Sequence, residues 1–341
     1  TFTPSQYARA SFIVETSGNI HEITPAAAIA AGPRPVVPPP GRQLPWRIQL
    51  IQYVETPPCE EAVHGLLDGL KNSGLVEGRD YVLRQRNAQN DMATIPALFD
   101  AAATDGTDLY FTFSTPTLQV AIRKVTLQPL VFTFVSDPMA AGAAQSYDQH
   151  LPNLTGVSTL APAGDMIQVI KTYFPEWKRI GTIYCPAEVN SLQNLKVLTR
   201  EAQSVGLKVE AVPANNISEL PDAARALMSR NLDAVVQIAD NLGAAGFGAI
   251  VQAAHSHNLP VFAFQSPAVT QGASLAVSRD FYQAGLDAAD QAARIMRGES
   301  PASIPITLAS KETLAINLTN ARDQGLTIPP ALQKAADLVL P

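Results

Sequence analysis

The stretches RIQLIQYV at Arg47–Val54 and RIGTIY at Arg179–Tyr184 are short runs rich in β-branched and other apolar residues. Each is followed by a segment with helical spacing of its apolar positions. Further runs of the same kind occur at Tyr81–Arg86, Asp108–Phe113, Leu130–Val135, Leu207–Val212, Leu232–Ala239 and Leu259–Phe264. Apolar runs that alternate with amphipathic stretches are typical of a mostly parallel α/β sheet, whose strands are buried on both faces.

The runs form two series that repeat along the chain. Corresponding positions are 132, 125 and 131 residues apart in the pairs Ile48–Ile180, Leu109–Ala234 and Leu130–Val261. This repeat predicts two similar α/β lobes, each a doubly wound parallel sheet, with a hinged cleft between them. We expect residues 1–46 to be an N-terminal extension with a proline-rich linker, 47–156 and about 280–308 to form lobe 1, and 157–279 and about 309–341 to form lobe 2. Within these bounds we predict helices at Ala244–His255 and Phe281–Arg297, a strand at Thr313–Asn317 and a closing helix at Pro330–Val339.

Composition excludes several classes of function. The 341 residues carry a formal charge of −6 without a basic stripe, which argues against a nucleic-acid partner. Uninterrupted apolar stretches stay well below the ~18 residues of a membrane helix, so we expect no membrane span. The sequence has no cysteine or histidine spacing typical of zinc, no GxGxxG after a strand and no GxxxxGK[ST], so we expect neither a metal nor another cofactor.

The N-terminal region has a composition of its own. Residues 32–45 hold six prolines in fourteen positions, which is typical of a stiff, extended linker. The preceding segment Ser11–Ile23 has the pattern of a hairpin around Ser17–Asn19. We interpret it as an ordered tail on the main body, with a remnant of another domain or a docking arm as the alternatives. Residues 1–31 show neither the basic segment nor the continuous apolar run of a signal peptide.

Polar residues follow the predicted strands at the edge where ligands bind in open α/β sheets. In lobe 1 they are Thr56, Ser114, Thr115, Thr117, Ser136 and Asp137. In lobe 2 they are Cys185, Glu188, Ser191, Asp240, Asn241 and Gln265. Hydroxyls and amides at a helix start would bind an anion, and the lobe 2 carboxylates would bind an ammonium group. Capping of the helices is the alternative in both lobes. Together an anion-binding group in lobe 1 and an ammonium-binding group in lobe 2 would suit an α-amino acid. Phe113, Phe134 and Phe264 are the rings placed to line its pocket.

Cys59 and Cys185 each follow the first strand of a lobe, so we expect both to face the cleft. Two facing thiols that exchange proton donor and acceptor roles would make a cofactor-independent amino-acid racemase or isomerase. This is the enzymatic alternative to a solute receptor. Two unrelated loop cysteines are the plainer interpretation, and we expect the protein not to be an enzyme.

From about Arg47 to Leu340 the chain resembles the ABC-transporter substrate-binding family of the tryptophan/tyrosine type, which has a periplasmic-binding-protein type I-like fold. The resemblance rests on an ordered set of segments, namely Ser114–Thr117, Val135–Pro138, Asn153–Ser158, Tyr184–Ser191, Ala239–Asn241, Asp280–Gly285 and Ile316–Ala321.

This resemblance implies a hinged receptor that captures a small carboxylate-bearing solute, an aromatic or other apolar amino acid, and delivers it to an ABC permease in the inner membrane. It also implies a periplasmic or extracytoplasmic location. On the same analogy the Ser114–Thr117 turn would hold the carboxylate, and Glu188, Ser191 and Asp240 would supply polar contacts from the other lobe. Cys185 and Gln265 depart from the family pattern, which commonly has Asn and an acidic residue there.

Overall fold

The computed structural model describes residues 44–341 and one antiparallel pair of short strands, β1 (Ile13–Val14) and β2 (Ile20–His21). This pair falls within the segment predicted as a hairpin. The predicted turn at Ser17–Asn19 and residues 32–43 of the proline-rich linker lie outside the described residues.

The remaining strands are β3 (Trp46–Gln52), β4 (Tyr81–Asn87), β5 (Leu109–Phe113), β6 (Leu130–Val135), β7 (Leu154–Ser158), β8 (Arg179–Tyr184), β9 (Lys208–Pro213), β10 (Ala234–Gln237), β11 (Val261–Ala263), β12 (Leu275–Arg279), β13 (Thr307–Leu308), β14 (Glu312–Asn317) and β15 (Leu338–Leu340). The helices are α1 (Pro57–Asn72), α2 (Ile95–Thr104), α3 (Thr115–Lys124), α4 (Ala163–Tyr173), α5 (Val189–Ser204), α6 (Leu220–Met228), α7 (Asn241–Ala245), α8 (Phe247–His255), α9 (Phe281–Met296), α10 (Leu318–Asp323) and α11 (Pro330–Ala335).

These strands form two sheets, which confirms the predicted pair of α/β lobes. Lobe 1 is built on a six-stranded sheet of order β13-β7-β6-β5-β3-β4, and lobe 2 on a seven-stranded sheet of order β15-β14-β12-β11-β10-β8-β9. Neighbouring strands are parallel except β12 and β14, which pair antiparallel. In both lobes the carboxyl ends of the parallel strands therefore lie at one edge of the sheet.

Two predicted helices differ from the structure. The closing helix predicted at Pro330–Val339 is wrong beyond Ala335, because Ala336 is extended and Leu338–Leu340 pairs with β14 as β15. The helix predicted at Ala244–His255 is divided at Gly246 into α7 and α8. A side chain at 246 would collide with Leu220, so the glycine at this position allows α6 to pack closely.

The core of lobe 1 depends on two helices that are far apart in sequence. α1 and α9 pack against each other on one face of the sheet and share a cluster of buried side chains. Gly65 and Gly285 lie at the contact, and a Cβ at Gly285 would lie 2.6 Å from the Leu66 amide nitrogen. The glycines thus bring the two helix backbones together.

The chain crosses between the described sheets three times, after β7, after β12 and after β13. The crossovers are hydrogen-bonded to one another. Arg279 Nε donates to the Leu160 carbonyl at 3.3 Å, and Lys311 Nζ donates to Asp280 Oδ2 at 2.7 Å. Arg279 also forms an ion pair with Glu312. This arrangement matches the predicted hinge, in which late elements return between lobes.

In the described part of the chain, no helix combines the length and apolarity that a bilayer span requires.

Gly285→Ala tests the helix contact. We expect it to lower the free energy of unfolding by about 1–3 kcal/mol, the usual cost of overpacking, because the methyl group meets backbone atoms that cannot rotate away. Chemical denaturation measures the change. The control is Gly248→Ala, a glycine within α8 with nothing near its Cβ position, where alanine stabilises by about 0.5–1 kcal/mol. Equal effects at the two positions would contradict the packing argument.

Glu61, near the start of α1, makes stability depend on pH. Burial, and secondly the negative charge of Asp280, raises the pKa of Glu61 to about 7. The folded protein therefore holds an extra proton between the ordinary carboxyl range and neutrality. Its stabilisation is present at low pH and is lost as pH rises through about 7. We expect Glu61→Gln to remove a decline of about 1–3 kcal/mol between pH 5 and 8. Denaturation at both pH values tests this, with the exposed neighbour Glu60→Gln as the control. A Glu61→Gln variant with the parent's pH slope would contradict the assignment.

Candidate functional site

A small cavity of about 20 Å³ lies between the two lobes at the carboxyl ends of their strands. This is room for about one water molecule and is far below the ~300–1,000 Å³ of small-molecule sites, so the cleft is closed in this structure. Its lining residues come from both lobes and the crossovers: Phe134, Ser136, Thr159, Asn190, Ala239, Asp240, Asn241, Gln265 and Phe281. Four of the predicted site residues line it, namely Ser136, Asp240, Asn241 and Gln265.

At the carboxyl ends of its strands, lobe 1 carries a group of buried hydroxyls that have no hydrogen-bond partner among residues 44–341. They belong to Thr56 at the start of α1 and to Ser114 and Thr115 at the start of α3. The backbone of Ser114 has a positive φ (φ 88°, ψ 158°), a conformation that residues other than glycine rarely adopt. Because Phe113 pairs with Thr133, Ser114 lies next to Phe134, which lines the cavity; Thr56, Ser114 and Thr115 are not themselves among the lining residues. We name Thr56, Ser114 and Thr115 the hydroxyl seat.

Thr117 differs from the hydroxyl seat. Its Oγ1 lies 2.8 Å from the carbonyl oxygens of both Phe113 and Ser114. The hydroxyl therefore donates to carbonyls of the preceding turn, so it is not free for a ligand and it does not cap the amides of its helix.

Glu188 in lobe 2 is buried and saturated with donors. Its carboxylate accepts from the Asn190 side chain, from the backbone and side chain of Asn241 and from the Leu242 amide, at 2.7–3.1 Å. Burial raises the pKa of Glu188, and these donors oppose the shift. The carboxylate thus holds the start of α7 in place, and Glu188 is not among the cavity-lining residues.

Asp240 lines the cavity, and both of its carboxylate oxygens accept hydrogen bonds from the protein. Its Oδ1 accepts from the Gly243 amide at 2.7 Å and its Oδ2 accepts from Ser191 Oγ at 2.6 Å. Burial, and then the charge of Glu188, raises the pKa of Asp240. Ser191 Oγ in turn accepts from the Cys185 amide at 2.8 Å, so Ser191 supports Asp240 and does not line the cavity.

Asn190 contributes an acceptor that sequence reasoning missed. Its Nδ2 donates to Glu188 Oε2 at 3.0 Å, and this bond to a carboxylate fixes which end of the amide carries the hydrogens. The Oδ1 atom is buried in the cavity wall without a partner in the described structure. Asn190 lies in Tyr184–Ser191, one of the segments that carry the family resemblance. Its position in the first turn of α5, just after β8, is the feature by which it could have been predicted.

Two phenylalanine rings form the apolar wall. Phe134 has a φ of 57°, an unusual backbone conformation for an aromatic residue, and its ring packs edge-on against Phe281 with centroids 5.2 Å apart. Phe134 was an expected lining residue, whereas Phe113 and Phe264 do not line the cavity. Phe281 was missed because the crossover brings it there from the start of α9.

Asp137 does not line the cavity. Its Oδ1 accepts from the Met139 and Ala140 amides, and its Oδ2 accepts from Gln193 Nε2 of lobe 2 at 2.9 Å. The lobes also approach at Tyr53, whose pKa is raised by burial and then by the negative charge of Glu188. Thr159 and Ala239 were also missed. Thr159 follows β7, which was not predicted as a strand. Ala239 lies two residues beyond the end of β10 and was missed because the predicted strand extended too far, to Ala239 itself.

The cysteines differ from the expectation that both face the cleft. Cys59 is 1% exposed and packs in the core between α1 and α9, and Cys185 is 3% exposed in a lobe 2 core cluster. Burial raises the pKa of Cys59 to about 12 and that of Cys185 to about 11. Both are thiols at neutral pH, whereas a two-cysteine racemase needs one thiolate as base. The structure therefore gives the racemase alternative no support.

Comparisons with known proteins agree with this architecture. The tyrosine-binding protein of Clostridioides difficile (strain R20291) is 28% identical over 270 residues, which cover 79% of this chain and 78% of that protein. A conserved domain protein from Vibrio cholerae O1 biovar El Tor has a solved structure similar to this one, with a TM-score of 0.82, 30% identity and coverage of 86% of this chain and 99% of the other.

A Streptococcus pneumoniae ABC domain solved in complex with L-Trp is similar over 87% of this chain and 100% of the other, with a TM-score of 0.83 and 25% identity. The sequence profile of the ABC transporter substrate binding protein family matches residues 47–340. The chain belongs to the ABC transporter substrate binding protein family.

Proposed function

We propose that the protein captures an aromatic amino acid in the cleft between the lobes, which opens to admit it. The observation that carries this proposal is the presence of unpartnered hydroxyls at the strand ends of lobe 1 together with the Asp240 and Asn190 acceptors of lobe 2, which line a cavity with an aromatic wall. The proposal includes delivery of the solute to an ABC permease from a periplasmic or extracytoplasmic location, as is expected for the family.

The hydroxyl seat suits a carboxylate. Ser114 and Thr115 stand at the first turn of α3, where backbone amides lack acceptors within the helix. A carboxylate would accept hydrogen bonds from the buried hydroxyls and so remove the cost of leaving them unsatisfied. Prolines at 57 and 58 have no amide hydrogen, so the start of α1 contributes chiefly the Thr56 hydroxyl.

The lobe 2 side suits an ammonium group. Asp240 supplies negative charge and Asn190 supplies the free Oδ1 acceptor, and no lysine or arginine is among the lining residues of this described cavity. A cationic donor from the ligand would satisfy Asn190 and offset the buried charge near Asp240 and Glu188.

The apolar wall and the relatives support an aromatic side chain. A ligand ring would extend the edge-on pair of Phe134 and Phe281, and such contacts add about 0.5–1.5 kcal/mol beyond burial. One relative is named as a tyrosine-binding protein, and one similar structure holds L-Trp.

A series of tryptophan analogues tests the proposal. We expect L-tryptophan or L-tyrosine to raise the melting temperature, since ligand at 100 times its Kd adds about 2.7 kcal/mol. Tryptamine, which lacks the carboxylate, and indole-3-propionate, which lacks the ammonium group, should each bind at least about tenfold more weakly by calorimetry, because each loses charge-assisted hydrogen bonds. Tryptamine binding as tightly as L-tryptophan would contradict the carboxylate role of the seat, and no binding by either amino acid would contradict the proposed function.

Variants of Ser114 separate binding from stability. We expect Ser114→Gly to raise the free energy of unfolding by about 1 kcal/mol, since it relieves the positive φ and removes an unsatisfied hydroxyl. The same change should weaken amino-acid binding about tenfold. Ser114→Ala is the matched comparison, because it removes the hydroxyl and keeps the backbone strain. It should weaken binding as much with less gain in stability. If both variants keep the parent's affinity, Ser114 is not part of the site.

A further inference from the structure

Two amide side chains of α5 connect lobe 2 to lobe 1. Gln193 Nε2 donates to Asp137 Oδ2 at 2.9 Å, and Asn194 Nδ2 donates to Ser136 Oγ at 3.1 Å. Gln193 and Asn194 are consecutive in the helix, and Ser136 and Asp137 are consecutive after β6. These bonds use different residues from the three crossovers, so they are a separate connection between the lobes.

Asn194 joins one wall residue from each lobe. Its Nδ2 lies 3.1 Å from Ser136 Oγ and 2.6 Å from the Ala239 carbonyl oxygen, and the two hydrogens of an amide nitrogen allow both bonds. Ser136 and Ala239 both line the cavity, whereas Asn194 does not. Asn194 is 3% exposed, so water competes little for these bonds.

The Gln193–Asp137 bond has a fixed acceptor. The Met139 and Ala140 amides hold Oδ1 of Asp137 at 2.9 and 3.0 Å, which leaves Oδ2 directed to Gln193. A hydrogen bond to a carboxylate is stronger than one between neutral groups. Opening the cleft would break this bond and the bond between Asn194 and Ser136.

We propose that Gln193 and Asn194 form an interlobe latch, which stabilises the closed cleft and sets the affinity for the solute without touching it. The effect on affinity rests on the proposed function, whereas the effect on closure does not. Apparent affinity is the intrinsic affinity multiplied by the fraction of protein in the binding-competent state. A latch that raises this fraction therefore tightens binding and slows dissociation.

The test introduces a second negative charge at the latch and then restores the pair. Gln193→Glu places a second carboxylate against Asp137 and should open the cleft by repulsion. Gln193→Glu combined with Asp137→Asn recreates a carboxylate–amide pair with donor and acceptor exchanged. Gln203→Ala is the control, an exposed residue on the same helix. Because Asn194 is buried, the test does not depend on removing it, and circular dichroism confirms that each variant is folded.

Small-angle X-ray scattering of the ligand-free proteins measures closure, and stopped-flow fluorescence with L-tryptophan or L-tyrosine measures dissociation. We expect Gln193→Glu to increase the radius of gyration, or to weaken binding about fivefold to twentyfold through faster dissociation. The double variant should return both quantities toward the parent, and Gln203→Ala should match the parent. If Gln193→Glu changes neither quantity, or if Asp137→Asn does not rescue it, the latch is overturned. If neither amino acid binds the parent protein, the proposed function fails and scattering alone decides, with unchanged scattering counting against the latch.

Discussion

Parallel strand pairing is the constraint on which the rest of the structure depends. It places the carboxyl ends of the strands at one edge of each sheet, and the cavity forms where residues from these two edges meet. The polar groups that follow the strands then become neighbours although they are distant in sequence. The cost is that helix starts and their buried hydroxyls must be satisfied there, either by the protein or by a ligand. In lobe 2 the protein satisfies them through Glu188, whereas in lobe 1 the hydroxyls of Ser114 and Thr115 have no partner in the described structure.

The strands could be predicted well because a strand that is buried on both faces is a nearly continuous run of apolar residues. β6 and β8 have the predicted bounds, and the two lobes follow from the repeat of such runs. The carboxyl-end rule also found Ser136, Asp240, Asn241 and Gln265. β7, which contains Thr155, Gly156 and Ser158, was not identified as a strand, so the residue after it, Thr159, was missed.

What the sequence could not predict is how each side chain is used once the chain has folded. Glu188, Ser191 and Asp137 have the right chemistry at the right edge, yet hydrogen bonds to the protein occupy them. Each of these side chains has a hydrogen-bond partner more than 45 residues away in the sequence, and a local sequence pattern does not reveal such partners. Cys59 shows the same limit, since the turn of α1 directs its thiol into the core. Phe281 reaches the cavity only because a crossover brings α9 back to lobe 1.

The contact between α1 and α9 also limits how early the core of lobe 1 can be completed during synthesis. About 220 residues separate Gly65 from Gly285, so the apolar face of α1 stays uncovered until most of the chain has been made. One core cluster of lobe 2, by contrast, draws its buried residues only from positions 183–273. Chain connectivity therefore allows this part of the second lobe to consolidate before the first lobe can close its core, even though the first lobe begins earlier in the sequence.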